Sequence, residues 1–151
     1  MSEPDADAGD DVTFAFPPMG PDVVPYFGYR DAAGAIAFLT EVLGFEVLAR
    51  YEGPDGSVMH AELHIGSGII MLGSAPSETE GSQPAASIGT YVVVDDVDAH
   101  HAHAVGAGLD ARGGQLVYPP EETEFGTRRY RLRDPEGFEW SFGTYQPSLT
   151  A

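Results

Sequence analysis

The chain repeats itself, and the repeat limits what it can fold into. Asp31 closes one apolar run and Asp96 closes another, 65 positions later. Further along, "ELHIGSG" (Glu62 to Gly68) falls on "RLRDPEG" (Arg131 to Gly137) at an offset of 69, matching Leu63 to Leu132 and Gly68 to Gly137. The four extra residues fit in a longer middle loop of the second half. Turn residues kept in register over such a period mean one supersecondary unit built twice.

Each copy reads β-α-β-β-β. Ordered structure begins with "DVVPYFGY" from Asp22. In the next run Ala33, Ile36, Ala37, Thr40 and Leu43 recur at helical spacing. Asp31 suits the helix N-cap and Gly44 a left-handed stop. "FEVLARYEG" and "SVMHAELHIG" alternate as strands, and Ile69 to Leu72 is a short buried strand. The second copy has the strand "GTYVVV", a helix from about Asp98 to Val105 stopped by glycines, and the strand "QLVY". The loop "PPEETEFG", the alternating strand "TRRYRLR", the turn "DPEG" and the strand "FEWSFGTY" follow. The expected organisation is an acidic, disordered segment 1–20, a module 21–73, a linker 74–87, a module 88–146 and a tail 147–151. Val12 to Phe16, "VTFAF", is apolar within the first segment and suits a sheet edge or a second chain.

Charge removes whole classes of partner. The formal net charge is -17, and all seven basic residues are arginine. Such a surface repels nucleic acid and anionic membranes. The absence of cysteine excludes disulfides, thiolate zinc sites and cysteine nucleophiles. No stretch approaches the roughly 18 apolar residues of a membrane helix. The acidic start "MSEPDADAGDD" has no signal-peptide pattern, so a cytoplasmic protein is expected.

The paired modules, "VDDVDA" after a strand, and the closing "RDPEGFEWSF" resemble the vicinal oxygen chelate superfamily. That group includes glyoxalase I, extradiol dioxygenases and the fosfomycin- and bleomycin-resistance proteins. The resemblance covers about Asp22 to Gln146 and implies an α+β fold: two tandem βαβββ modules forming a curved mixed sheet around a cleft, in a homodimer. In metal-dependent members, His, Glu or Gln on the first and last strand of each module hold the ion. Carried over, those positions are Val24, Leu72, Gly89 and Ser141. Three have no ligand atom and a serine hydroxyl is a poor one. No cofactor is therefore expected, and the resemblance points to the metal-lacking, bleomycin-resistance-like branch.

Three of the five histidines, His100, His101 and His103, crowd the second helix. At about 100° per residue, His101 lies about 40° from Val97, His100 about 60° to the other side, and His103 about 120° away. The rings do not converge on one ion. The expectation is that His101 faces the sheet and the other two face solvent.

Strand alternation supplies better candidates. In "RRYRLR", Arg129, Arg131 and Arg133 share a face opposite Tyr130 and Leu132. The matching strand sets His60, Glu62 and His64 opposite Ala61, Leu63 and Ile65. Arginines would bind a carboxylate, phosphate or enolate, or would pair with nearby glutamates such as Glu46, Glu52, Glu62 and Glu139. His60 with Glu62 would move a proton. The repeat is expected to place these two pairs on opposite walls of the cleft. Tyr26 and Tyr91 belong to the cleft side by parity, Trp140 and Phe142 to the core, and Phe125 would close over a ligand. The reading is metal-independent binding of a small organic molecule by Tyr26, His60, Glu62, Tyr91, Phe125, Arg129, Arg131 and Ser141. The alternatives are a lyase or dioxygenase whose divalent metal has displaced ligands, such as His60 or Glu62, and a metal-free isomerase or epimerase using that pair.

Overall fold

A computed structural model describes residues 20–21, 23–75 and 88–148. The Val12 to Phe16 expectation and most of the expected linker lie outside them. The first module is β1 (Tyr26–Tyr29), α1 (Ala32–Glu41), β2 (Glu46–Glu52), β3 (Val58–Ile65) and β4 (Gly68–Ser74). The second is β5 (Gly89–Val93), α2 (Val97–Gly106), β6 (Gln115–Glu122), β7 (Arg128–Arg133) and β8 (Glu139–Gly143). Each forms its own four-stranded sheet, ordered β1-β4-β3-β2 and β5-β8-β7-β6, with the first and last strands parallel. Among the described residues no helix is long and apolar enough to cross a membrane.

The 65-residue repeat is a repeated N-cap. Asp31 accepts from the Gly34 N–H and Asp96 from the Ala99 N–H, each at 2.9 Å. Gly44, at φ 92°, takes the left-handed position after α1. One expected boundary moves. Pro119 and Pro120 belong to β6, so the loop shrinks to residues 123–127. β6 is a sheet edge and its pairing slips between Tyr118 and Glu121, which is where two residues that cannot donate to the ladder are tolerated.

Each helix covers one face of its own sheet, and the two helix-bearing faces meet in one continuous core. Trp140 stacks on Phe27 at 5.1 Å and meets Phe45 edge-on at 5.4 Å. The turn after β7 then clasps the first module. Asp134 Oδ2 accepts from the Tyr29 hydroxyl at 2.6 Å and from Trp140 Nε1 at 3.1 Å, while Oδ1 accepts from the Glu136 and Phe138 N–H groups. Glu136 accepts from the backbone N–H of Arg30 and Asp31, both at 2.8 Å. Burial raises the Asp134 carboxyl above its ordinary 3.8, against the pull of these hydrogen bonds.

The histidine helix departs from expectation at one residue. His103 is exposed, and His101 lies edge-on to Tyr130 at 5.1 Å. His100 does not face solvent. It is partly buried, stacks on Phe142 at 4.1 Å and binds the Leu43 carbonyl of the first module at 2.8 Å. The reason is the position of the buried stripe, Val97 and Ala104. His100 and His101 flank it almost equally, and the end of α1 covers the His100 side. A carbonyl only accepts, so Nε2 carries the proton and Nδ1 accepts from the Tyr130 hydroxyl at 2.8 Å. Burial lowers the His100 pKa below 6.5, with His103 and His101 adding to it and the Leu43 bond opposing it.

A group whose folded pKa is depressed binds fewer protons in the folded state, so acid favours unfolding. Stability is expected to fall as the pH drops below about 6.5 and to level off beneath the folded pKa. His100→Gln should lose less stability than wild type between about pH 7.5 and about pH 5.5. Denaturant midpoints at both pH values check this; equal losses would contradict it.

Candidate functional site

Because the sheets meet through their helix-bearing faces, the other face of each sheet stays open. Alternation decides which side chains it carries. Ala61, Leu63, Tyr130 and Leu132 are wholly buried, and their neighbours His60, Glu62, Arg129 and Arg131 project to the open side. Trp140 and Phe142 are wholly buried, and Ser141 between them points the other way. The two open faces belong to separate sheets whose other sides share one core. The His60/Glu62 pair and the arginines therefore do not line two walls of one cleft within a single chain, as the repeat had led us to expect.

The second open face carries the denser chemistry. Arg131 Nε donates to Ser141 Oγ at 2.8 Å, and its Nη1 lies 3.8 Å from Glu139. Arg133 pairs with the same Glu139 at 2.8 Å, and Arg129 with Glu121 at 3.2 Å. The Arg129 and Arg131 guanidinium carbons lie 5.4 and 5.5 Å from the centre of the Tyr118 ring, so two cations share one aromatic. The Tyr118 hydroxyl is buried without a hydrogen-bond partner among the described residues. Among the described residues, three guanidiniums thus meet two carboxylates. The patch is locally positive on a strongly acidic chain.

On the first open face His60 Nε2 lies 3.0 Å from Glu62 Oε2, with Tyr51 stacked on the imidazole at 6.0 Å. His64 pairs with Glu46 at 3.3 Å. Tyr26 is 65% exposed at the end of this face.

One ligand position inherited from the family pattern needs correcting. Leu72 is in the core, wholly buried. Tyr26 pairs with Met71 as Tyr91 pairs with Ser141, so Met71 is the open-face counterpart of Ser141. The cause is one extra residue in the second turn: His64 and Ile69 pair five positions apart, Arg133 and Glu139 six. The corrected set is Val24, Met71, Gly89 and Ser141. Its one hydroxyl is already held by Arg131, and hard or borderline cations want carboxylate, imidazole or water. These residues do not fit a divalent ion. Among the described residues no three His, Asp or Glu side chains gather where they could hold one, so His60 and Glu62 have no third donor.

Two recesses flank Tyr91. One, of about 440 Å³, runs between the β3–β4 turn and β5 and is lined by Val23, Phe45, Ile69, Val92 and Trp140, with no charged side chain among the described residues. The other, of about 460 Å³, is on the second open face, lined by Tyr91, Thr123, Phe125, Thr127, Arg129 and Tyr145. A glycine shapes it. A Cβ on Gly143 would come within 2.4 Å of the Tyr91 hydroxyl, so the ring lies across bare backbone. Tyr91 Oη donates to the Tyr145 carbonyl at 2.8 Å, which pins it there. The first module repeats the device, with the Tyr26 hydroxyl 3.1 Å from where a Gly73 Cβ would stand. Phe125 sits on the 123–127 turn, 83% exposed, at the rim. Sequence reasoning missed Tyr118, Tyr145, Glu121 and Gly143. Tyr118 was within reach, because β6 must pair with β7, but two prolines concealed the strand's length.

The model of the Glyoxalase/Bleomycin resistance protein/Dioxygenase superfamily matches residues 8–142. An uncharacterized protein of Mycobacterium bovis is 32% identical over 130 residues, covering 82% of each chain. The crystal structure of TioX from Micromonospora sp. ML1 is similar at a TM-score of 0.65 and 29% identity, over 85% of this chain and 99% of its own. A glyoxalase/bleomycin resistance protein/dioxygenase family enzyme from Burkholderia phytofirmans PsJN shares the fold at 0.57 and 23% identity, over 78% and 94% of the two chains.

The face assignment has energetic consequences. Leu132→Ala is expected to cost about 2–5 kcal/mol of stability, because it empties core volume. Arg129→Ala, at an exposed pair, should stay within about 0.5 kcal/mol. Arg131→Ala should fall between them, at roughly 1–3 kcal/mol, because it strands the buried Ser141 hydroxyl. Chemical denaturation of the three variants checks the order; an Arg129→Ala loss matching Leu132→Ala would invert the face assignment.

Proposed function

Because the chain belongs to the glyoxalase/bleomycin resistance protein/dioxygenase superfamily, we propose that it binds a small organic acid on the open face of its second module, without the metal ion of the family's metal-dependent members. The observation that carries this is the charge count on that face among the described residues: three guanidiniums against two carboxylates, in a chain of net charge -17. Like charges at alternate positions of one strand repel, and an anion between them relieves the repulsion. Arg131 is oriented by Ser141, so its remaining N–H groups are aimed rather than mobile. Sequestration needs this recognition and no reacting group.

We further propose a homodimer. The first open face exposes Tyr26 and Tyr51, each more than half accessible. Apolar surface of this kind marks an interaction site. A second copy laid over the arginine face would bring His60 and Glu62 opposite Arg129 and Arg131, completing the cleft that one chain lacks. The 3.0 Å His60–Glu62 contact favours a second reading, a metal-free isomerase or epimerase in which this pair moves a proton on the bound acid.

Calorimetric titration with small carboxylates and phosphates tests the first reading. Arg131→Ala is expected to weaken binding by roughly 1.5–3 kcal/mol, the scale of a hydrogen bond to a charged group. Prior dialysis against a chelator should leave wild-type affinity unchanged. Affinity restored only by added nickel, zinc, iron or manganese would contradict it.

A further inference from the structure

We infer that the recess between Tyr91, Phe125 and Tyr145 is a subsite for a flat aromatic ring bearing a carboxylate, with Arg129 as the acid's anchor. This rests on the small-acid reading above and narrows it to a substrate class. Among the described residues, Arg129 is the one charged side chain lining the recess. The three rings are 42%, 83% and 59% exposed, at one end of a single sheet face. Core packing explains none of them. The ring walls favour a π-face over an aliphatic chain, because stacked and edge-on aromatic contacts add to simple area burial. A recess of about 460 Å³ lies within the range of small-molecule pockets.

Arg129 is free to change partners. Its hydrogen bonds to Glu121 run at 3.4 and 3.2 Å, onto a single oxygen. On the opposite face of β7, Arg128 grips both oxygens of Asp98 at 2.9 Å. Charge-assisted pairs settle near 2.7–2.9 Å when well formed, so Glu121 holds Arg129 loosely. An incoming carboxylate can take the guanidinium edge while Tyr118 keeps its π-contact behind it. Thr123 and Thr127 bond each other at 2.7 Å and brace the turn that carries Phe125.

The test uses three probes on the full chain: 2-naphthoate, cyclohexanecarboxylate and 2-naphthalenemethanol. By calorimetry 2-naphthoate is expected to bind at least about tenfold tighter than either of the others, which lack the flat ring or the charge. Phe125→Ala should weaken naphthoate by roughly fivefold and leave cyclohexanecarboxylate unchanged. Gly143→Ala, which displaces the Tyr91 ring without removing a charge, should act likewise. Sedimentation velocity on Phe125→Ala should show the wild-type oligomeric state. Equal affinity for the two acids, with both still sensitive to Arg131→Ala, would overturn the subsite and leave the small-acid reading standing. No acid bound up to millimolar concentration would overturn both. A Phe125→Ala variant that changes oligomeric state would assign the rings to an interface and overturn the subsite.

Discussion

The carboxylate of Asp134 is the hinge on which the rest of the architecture depends. One of its oxygens closes its own turn, and the other joins the Tyr29 hydroxyl of the first module to the Trp140 indole of the second. Burying a carboxylate is costly unless its lone pairs are filled, and four donors fill them here. That bond and the Phe27–Trp140 stack commit the helix-bearing faces to each other. His60, Glu62, Arg129 and Arg131 are thereby turned outward. The open arginine face is a consequence of which faces were spent on the core.

Arginine is scarce in this chain, and its distribution carries information. Four of the seven lie on β7, and the rest are spread singly over helix ends and loops or an edge strand. Arg128 and Arg30 pair with Asp98 and Glu136 and act as surface clasps. Arg131 differs because a nearly buried serine orients it, and Arg129 differs because its carboxylate partner is loose. In a molecule this acidic, leaving one guanidinium in excess on an open face is hard to account for by folding alone.

The fold was legible because two of its devices repeat visibly: the capping aspartates and the alternating third strands. Parity alone placed Arg129, Arg131, His60 and Glu62 on open faces, since a strand has two sides and only one can be apolar. Three things were not legible. The extra residue in the "DPEG" turn shifts the last strand by one position, which exchanges Leu72 for Met71 and would mislead any carry-over of ligand positions. The partner of His100 comes from the end of α1, 57 residues earlier, and no local period reports it. The mutual placement of the modules depends on which faces meet, and a repeat is equally compatible with either choice.

The central claim is that the open face of the second sheet recognises an organic acid in the absence of metal. Two-dimensional NMR of backbone amides and arginine Nε–H groups, during a 2-naphthoate titration in chelator, reads this directly. The account predicts the largest shifts at Arg129, Arg131, Tyr91, Ser141 and the 123–127 turn, with the Trp140 indole and the Asp134 turn unmoved. Shifts centred on Val23, Phe45 and Trp140, or shifts seen only after a divalent ion is added, would contradict it.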